Sequence, residues 1–199
     1  VHAYEDIYPR NYYLPYNAVS NPDGYKAEER GPREFALLKR AVEYIADEVP
    51  DTLNIDRNND GNIDNIIFVV KGDVSDWSGM LWPHMWDMKG EETYINDKRV
   101  MNFNFQLETS KYFTVSALCH EMSHSLGFPD LYHYNENFSH LSPTGPWDLM
   151  CTNSNPPQHH GAYMKYKYGT WIEEIPEIGY GTYTIGANSW EGGRRNCFK

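Results

Sequence analysis

The sequence predicts an α/β chain of the α+β kind, with a twisted mixed sheet, two long helices and a cleft between an upper and a lower half. Three observations predict it. Leu38, Ala41, Val42, Ile45 and Val49 recur at helical spacing. Ile66-Ile67-Phe68-Val69-Val70 is a short run of β-formers, and Val100, Asn102 and Asn104 alternate with Met101, Phe103 and Phe105. A second helical stretch starts near Thr114, with Val115, Leu118, Met122 and Leu126 on one apolar stripe.

The elements follow in order. Residues 1–31 are rich in Tyr, Pro and Asn and read as an edge strand with loops. Pro32 is tolerated in a first helical turn, so the first helix runs from there to about Glu48, and Pro50 stops it. Residues 56–64 form a polar loop, and the β-run after them ends at Lys71-Gly72-Asp73. Residues 73–92 read as a Trp- and Met-rich connection. Residues 93–107 read as a hairpin turning at Asn96-Asp97-Lys98. Gly127 closes the second long helix. A long loop covers 128–159, and a last helix spans about His160 to Tyr168, closed by Gly169. From Gly179 the pattern alternates again (Tyr183, Ile185). The expected organisation is one main domain over residues 1–178 and the start of a following β-domain or linker over 179–199.

Composition excludes some partners. The formal net charge is −11, so a polyanion would be repelled and nucleic acid is not expected to bind. No apolar run approaches the roughly 20 residues that span a bilayer, so no transmembrane segment is expected. No cationic start leads into an apolar stretch, so no signal peptide is expected, and the initial Val reads as the start of a processed piece. Cys119, Cys151 and Cys197 are an odd set with no metal-knuckle or redox spacing, and read as buried free thiols, with a Cys119–Cys151 bond left open.

His120-Glu121-Met122-Ser123-His124 carries the strongest chemical signal. Two histidines four apart on a helix share one face, one turn apart, as a common metal ion requires. Glu121 lies beside them and can reach a metal-bound water without being a ligand. With 8 His and 28 acidic residues in 199, such a string arises by chance about 0.04 times. Two surface histidines on an amphipathic helix are the plainer reading. A catalytic zinc needs a third protein ligand and an open position. Gly127 allows a sharp turn, after which Asp130 can swing back to the metal. The competing third ligands are His133, His140, Glu173 and Glu174. The pattern HExxHxxGxx followed by Asp is that of the metzincins, which usually end it in His. Pro146-Trp147-Asp148-Leu149-Met150 resembles their methionine-bearing turn under the zinc, with Met150 as that methionine. Several metzincins carry a Tyr two residues later to assist the oxyanion. Thr152 stands there, which leaves His159, with His160 or Tyr163 as alternatives.

Asp56-Arg57-Asn58-Asn59-Asp60-Gly61-Asn62-Ile63-Asp64 matches nine positions of an EF-hand loop. Asp56, Asn58, Asp60 and Asp64 would supply calcium oxygens, with the Asn62 carbonyl between them. Position twelve is Ile67 rather than Glu, and a strand follows, so the loop sits on a different scaffold. An Asx-rich turn without metal is the plainer reading.

In their order, these landmarks make the chain resemble the immune inhibitor A family of secreted bacterial metallopeptidases, from about Glu34 to Ile172. Leu81-Trp82-Pro83-His84-Met85-Trp86, Pro157-Gln158-His159, Lys165 and Gly169-Thr170-Trp171 add to the match. The resemblance implies a metzincin-like zincin domain with an active-site helix and a C-terminal helical subdomain. It implies zinc at His120, His124 and Asp130, an acid/base at Glu121, and structural calcium. It also implies protein or peptide substrates, secretion or a cell-surface location, and further β-domains downstream. Ser123 departs from the family, which often has Gly there. The expected function is a zinc endopeptidase; the alternative is a non-catalytic binding or adhesion module that keeps the fold.

Overall fold

The computed structural model describes residues 1–72, 77, 79–109, 113–186 and 197–198. The chain divides into two compact units, Val1–Phe113 and Thr114–Lys199. The described residues form a mixed α/β structure with a small mixed sheet and three α-helices. None of these helices is long and apolar enough to cross a membrane.

In the first unit, helix α1 spans Arg30–Ile45 and tightens into a 3-10 turn over Ala46–Glu48 before Pro50. It begins two residues before Pro32, because a 3-10 turn over Ala27–Glu29 feeds it. There the Glu29 carboxylate accepts the Lys26 N–H at 2.8 Å. Leu38 and Val42 are buried as the spacing predicts, with Ile45 and Val49 packed beside them. Residues 1–31 contain a 3-10 turn at Arg10–Tyr13 and isolated bridges (Pro15 with Tyr25, Asn17 with Asn21) in place of the expected edge strand.

Strand β1 is Ile67–Val70, β2 is His84–Asp87, β3 is Tyr94–Ile95, β4 is Lys98–Arg99 and β5 is Asn102–Leu107. The sheet order is β1-β5-β2, with β1 parallel and β2 antiparallel to β5. Two expectations are corrected. The hairpin is only β3 with β4, turning through Asn96 and Asp97 at positive φ (49° and 60°), the geometry of a two-residue I′ turn. β5 leaves it to become the central strand. Phe103, Phe105 and Leu107 fill the core, and Asn104 and Gln106 on the other row are also buried, so neither face of β5 is left to solvent. The supposed connection over 73–92 holds β2. Pro83 lies just before it, where no ladder N–H is needed, and four residues are too few to show alternation. Gly72 closes β1 at φ 117°. Asp73 lies outside the described residues.

Asp6 anchors the start of this unit. Its buried carboxylate accepts Arg40 Nε at 2.8 Å and Nη2 at 3.0 Å, Tyr4 Oη at 2.8 Å, and the Tyr13 hydroxyl. Burial alone would raise its pKa, but Arg40 and the tyrosines lower it to about 2. A depressed folded-state pKa gives stability that is present above the unfolded value of about 3.9 and lost as pH falls through the folded value. The urea-denaturation gap between wild type and Asp6→Asn is therefore expected to shrink between pH 4 and pH 2. A gap unchanged across that range would contradict the assignment.

In the second unit, helix α2 spans Val115–Ser125 and α3 spans Ala162–Lys167, with 3-10 turns at Glu136–Phe138 and Gly145–Trp147. Phe128, Met150 and Met164 form its core, with Leu131 and Tyr168 packed against them. No strand forms over residues 179–186; the Tyr183 hydroxyl bonds back to the Gly179 carbonyl at 2.9 Å. The rest of the expected β segment, 187–196 and 199, lies outside the described residues.

Candidate metal centre

Thr114 starts α2, accepting the Ala117 N–H at 3.1 Å as an N-cap should. Gly127 ends it at φ 87°, its N–H on the His124 carbonyl at 2.9 Å while the Phe128 N–H reaches Ser123 O at 3.0 Å. The apolar stripe predicted for this helix is not its buried face. Val115, Met122 and Leu126 are exposed, whereas Ser116, His120, Glu121 and Ser123 are buried. Contacts from the 148–160 segment, described below, turn the polar side inward.

On that face His120 and His124 lie with ring centroids 4.9 Å apart, nearly perpendicular at 89°. The turn at Gly127 returns Asp130 to them. Asp130 Oδ1 lies 3.0 Å from His120 Nε2 and 3.4 Å from His124 Nε2. Their ligand atoms lie within 4.8 Å of one another, the one such group among the described residues. The competing candidates His133, His140, Glu173 and Glu174 are exposed and outside it.

The outer nitrogens are also committed. His120 Nδ1 meets the Leu149 carbonyl at 3.0 Å and His124 Nδ1 meets the Phe128 carbonyl at 2.8 Å. A carbonyl only accepts, so each Nδ1 donates, and each neutral ring presents the lone pair of Nε2 inward. Asp130 Oδ1 is buried without a hydrogen-bond partner, while the Tyr134 hydroxyl donates to Oδ2. Two lone pairs and a buried carboxylate oxygen, all facing one point, fit a divalent cation. Electrostatics agree. Burial works against protonation of both rings, but Asp130 and the backbone carbonyls raise their pKa values above the ordinary histidine range. Burial would likewise lift Asp130, yet the histidines and Tyr134 hold it well below the usual carboxylate range. The site favours positive charge, as protons or as a metal that displaces them.

Met150 is fully buried in one core cluster with Phe128 and Met164. Its turn is held by Asp148, also buried, whose Oδ1 accepts the Met150 N–H at 2.9 Å and whose Oδ2 accepts the Gly161 N–H at 2.6 Å. Burial pushes the Asp148 pKa up, but His160 and these N–H groups bring it below its ordinary value. His160 lies 3.7 Å from Asp148, stacks on Phe128 at 4.2 Å, and reaches Ser123 Oγ at 3.0 Å. Ser123 donates to the Cys119 carbonyl at 2.6 Å, so it accepts from His160 Nε2. A glycine at 123 could not make this link.

His159 and Thr152 are exposed, Tyr163 is half exposed, and none of them is in the converging group. Sequence reasoning missed Asp148, Tyr134 and Tyr132, the last stacked on His120 at 6.3 Å. Asp148 stood two residues before Met150, and the tyrosines two and four after Asp130. Only their closeness to named ligands could have marked them. All three cysteines are free, so Cys119 and Cys151 do not bond; only Cys151 is buried, and Cys119 and Cys197 are partly exposed.

The Asp56–Asp64 loop adopts its expected turn, with Gly61 at φ 87° and Ile63 buried. Its oxygens are occupied within the chain. Asp56 accepts the Asp60 and Gly61 N–H groups at 3.0 Å each and Lys98 Nζ at 2.8 Å. Asn58 Nδ2 donates to Asp60 at 3.0 Å, Asn62 N to Asp60 at 2.8 Å, and Arg57 N to Asp64 at 2.9 Å. The Lys98 ammonium, first, and the backbone N–H groups lower the Asp56 pKa.

No protein-family model matches the chain, and no curated protein is similar to it at the level that marks relatedness.

Proposed function

We propose that the chain is a zinc-dependent endopeptidase domain of the metzincin type, akin to the immune inhibitor A family that the sequence resembles. One observation carries this reading: His120, His124 and Asp130 converge with both histidine tautomers set by backbone carbonyls. These three residues would hold the ion. Bound zinc would polarise a scissile carbonyl and acidify a water. Glu121, buried on α2 and not among the converging ligands, would take the proton from the attacking water and pass it to the leaving amine. Met150 would be the methionine under the ion, a role supported by its turn, which supplies the Leu149 carbonyl to His120. His159, exposed at the end of the 128–159 loop, is retained as the residue that could reach a substrate oxyanion. Its substrates would be proteins or peptides, and its location outside the cell or on its surface, as the resemblance implies.

The same reading assigns structural calcium to Asp56, Asn58, Asp60, Asn62 and Asp64, supported by the sharp turn at Gly61. Calcium would displace Lys98 from Asp56.

Metal analysis with an activity assay tests both assignments. The purified chain is expected to carry about one zinc per molecule. It should hydrolyse an unfolded protein substrate, lose that activity to a chelator, and regain it with zinc. Millimolar calcium should raise the melting temperature of wild type but not of Asp56→Ala. No transition metal taken up when zinc is supplied would sink the zinc assignment. Zinc bound with no hydrolysis would leave the binding-module alternative.

A further inference from the structure

Resting on the zinc reading above, we propose that Tyr134 is a positioning residue that holds Asp130 to one-oxygen ligation and so keeps a coordination position open for substrate. The two oxygens of Asp130 have divided duties. Oδ1 faces His120 Nε2 at 3.0 Å and His124 Nε2 at 3.4 Å, buried and with no hydrogen-bond donor of its own. Oδ2 accepts the Tyr134 hydroxyl.

Tyr134 is 77 % exposed, so core packing does not explain where its ring lies. It meets the edge of Tyr132 with centroids 5.2 Å apart, and Tyr132 in turn lies nearly parallel to the His120 ring, at 6.3 Å and 17°. The two tyrosines brace two of the three ligands from the solvent side.

The consequence is one of coordination number. A carboxylate can give a cation one oxygen or two. With two imidazoles and one oxygen the protein supplies three donors, and a catalytic zinc keeps its fourth position for water or substrate. A two-oxygen Asp130 would add a further donor beside the water, expanding the coordination and crowding the position that substrate needs. Hydrogen bonds to the outer atom of a ligating carboxylate fix its mode of binding. Tyr134 supplies that bond from an exposed segment, outside the helix that holds the histidines.

The test substitutes cobalt for zinc in the full chain and compares wild type with Tyr134→Phe at equal metal occupancy. Visible d–d bands of four-coordinate cobalt are intense, and they weaken as coordination expands. Wild type is expected to show intense bands. Tyr134→Phe is expected to show weakened bands, and its zinc affinity, measured against a competing chelator dye, should fall about 10- to 100-fold. The substitution removes one hydroxyl from an exposed ring, and far-UV circular dichroism will verify the fold. Identical cobalt spectra overturn the proposal whatever the affinity. A wild-type chain that takes up neither metal overturns the zinc reading and this proposal together. Metal-binding wild type with an unchanged variant spectrum overturns the tyrosine's role alone.

Discussion

Glu121→Gln is expected to lower kcat/KM for peptide hydrolysis by about 10²- to 10⁴-fold, the usual contribution of a positioned general base, with zinc content unchanged. Glu121 follows a ligand on α2 and is buried on the same face, yet it is not among the converging ligand atoms. Gln preserves the volume and the acceptor oxygen of this buried side chain. It removes the negative charge and the capacity to take a proton, and turns the second oxygen into an N–H donor. A merely structural Glu121 would lose stability or metal and spare the turnover of correctly loaded protein. Parallel measurements of metal content, melting temperature and single-turnover rate separate these cases. Retained turnover, or loss of zinc along with activity, would remove Glu121 from the role assigned to it.

The second large effect is expected far from any bond-breaking. Asp148→Ala should destabilise the chain by about 3–5 kcal/mol, the range for removing one partner from a buried charged network. The variant leaves the N–H groups of Met150 and Gly161 without their acceptor and His160 without its facing carboxylate. It also frees the turn whose Leu149 carbonyl orients His120, so zinc affinity should drop by about 10- to 100-fold. Urea denaturation of the metal-free chain and a chelator competition measure the two effects separately. Unchanged denaturation midpoint and unchanged affinity would show that the turn keeps its path without Asp148.

The sequence made the converging trio legible because a helix repeats at a fixed period. His120 and His124 had to share a face, and Gly127 made a return to Asp130 feasible. α1 was legible for the same reason, since its apolar residues do line its buried side. The stripe on α2 misled because hydrophobicity alone does not say which face a tertiary contact will claim. Here Leu149, His160 and Phe128 claimed the polar one. β2 was hidden by its brevity, and the hairpin was overextended because β5 continued the alternation while pairing with β1 and β2 instead. The oxygens of the Asp56 loop were legible, but not the hold of Lys98 on them, since 42 residues separate Lys98 from Asp56. Asp148 and Tyr134 act through one hydrogen bond or two each, and such bonds leave no periodic trace.

The acceptors on His120 and His124 are main-chain oxygens, of Leu149 and Phe128. Every amino acid carries that oxygen, so no exchange of side chain at 128 or 149 can erase either acceptor chemically. Which nitrogen faces Asp130 is thus specified by the route of the backbone rather than by residue identity. Drift in sequence around the centre can be wide, provided the route is preserved.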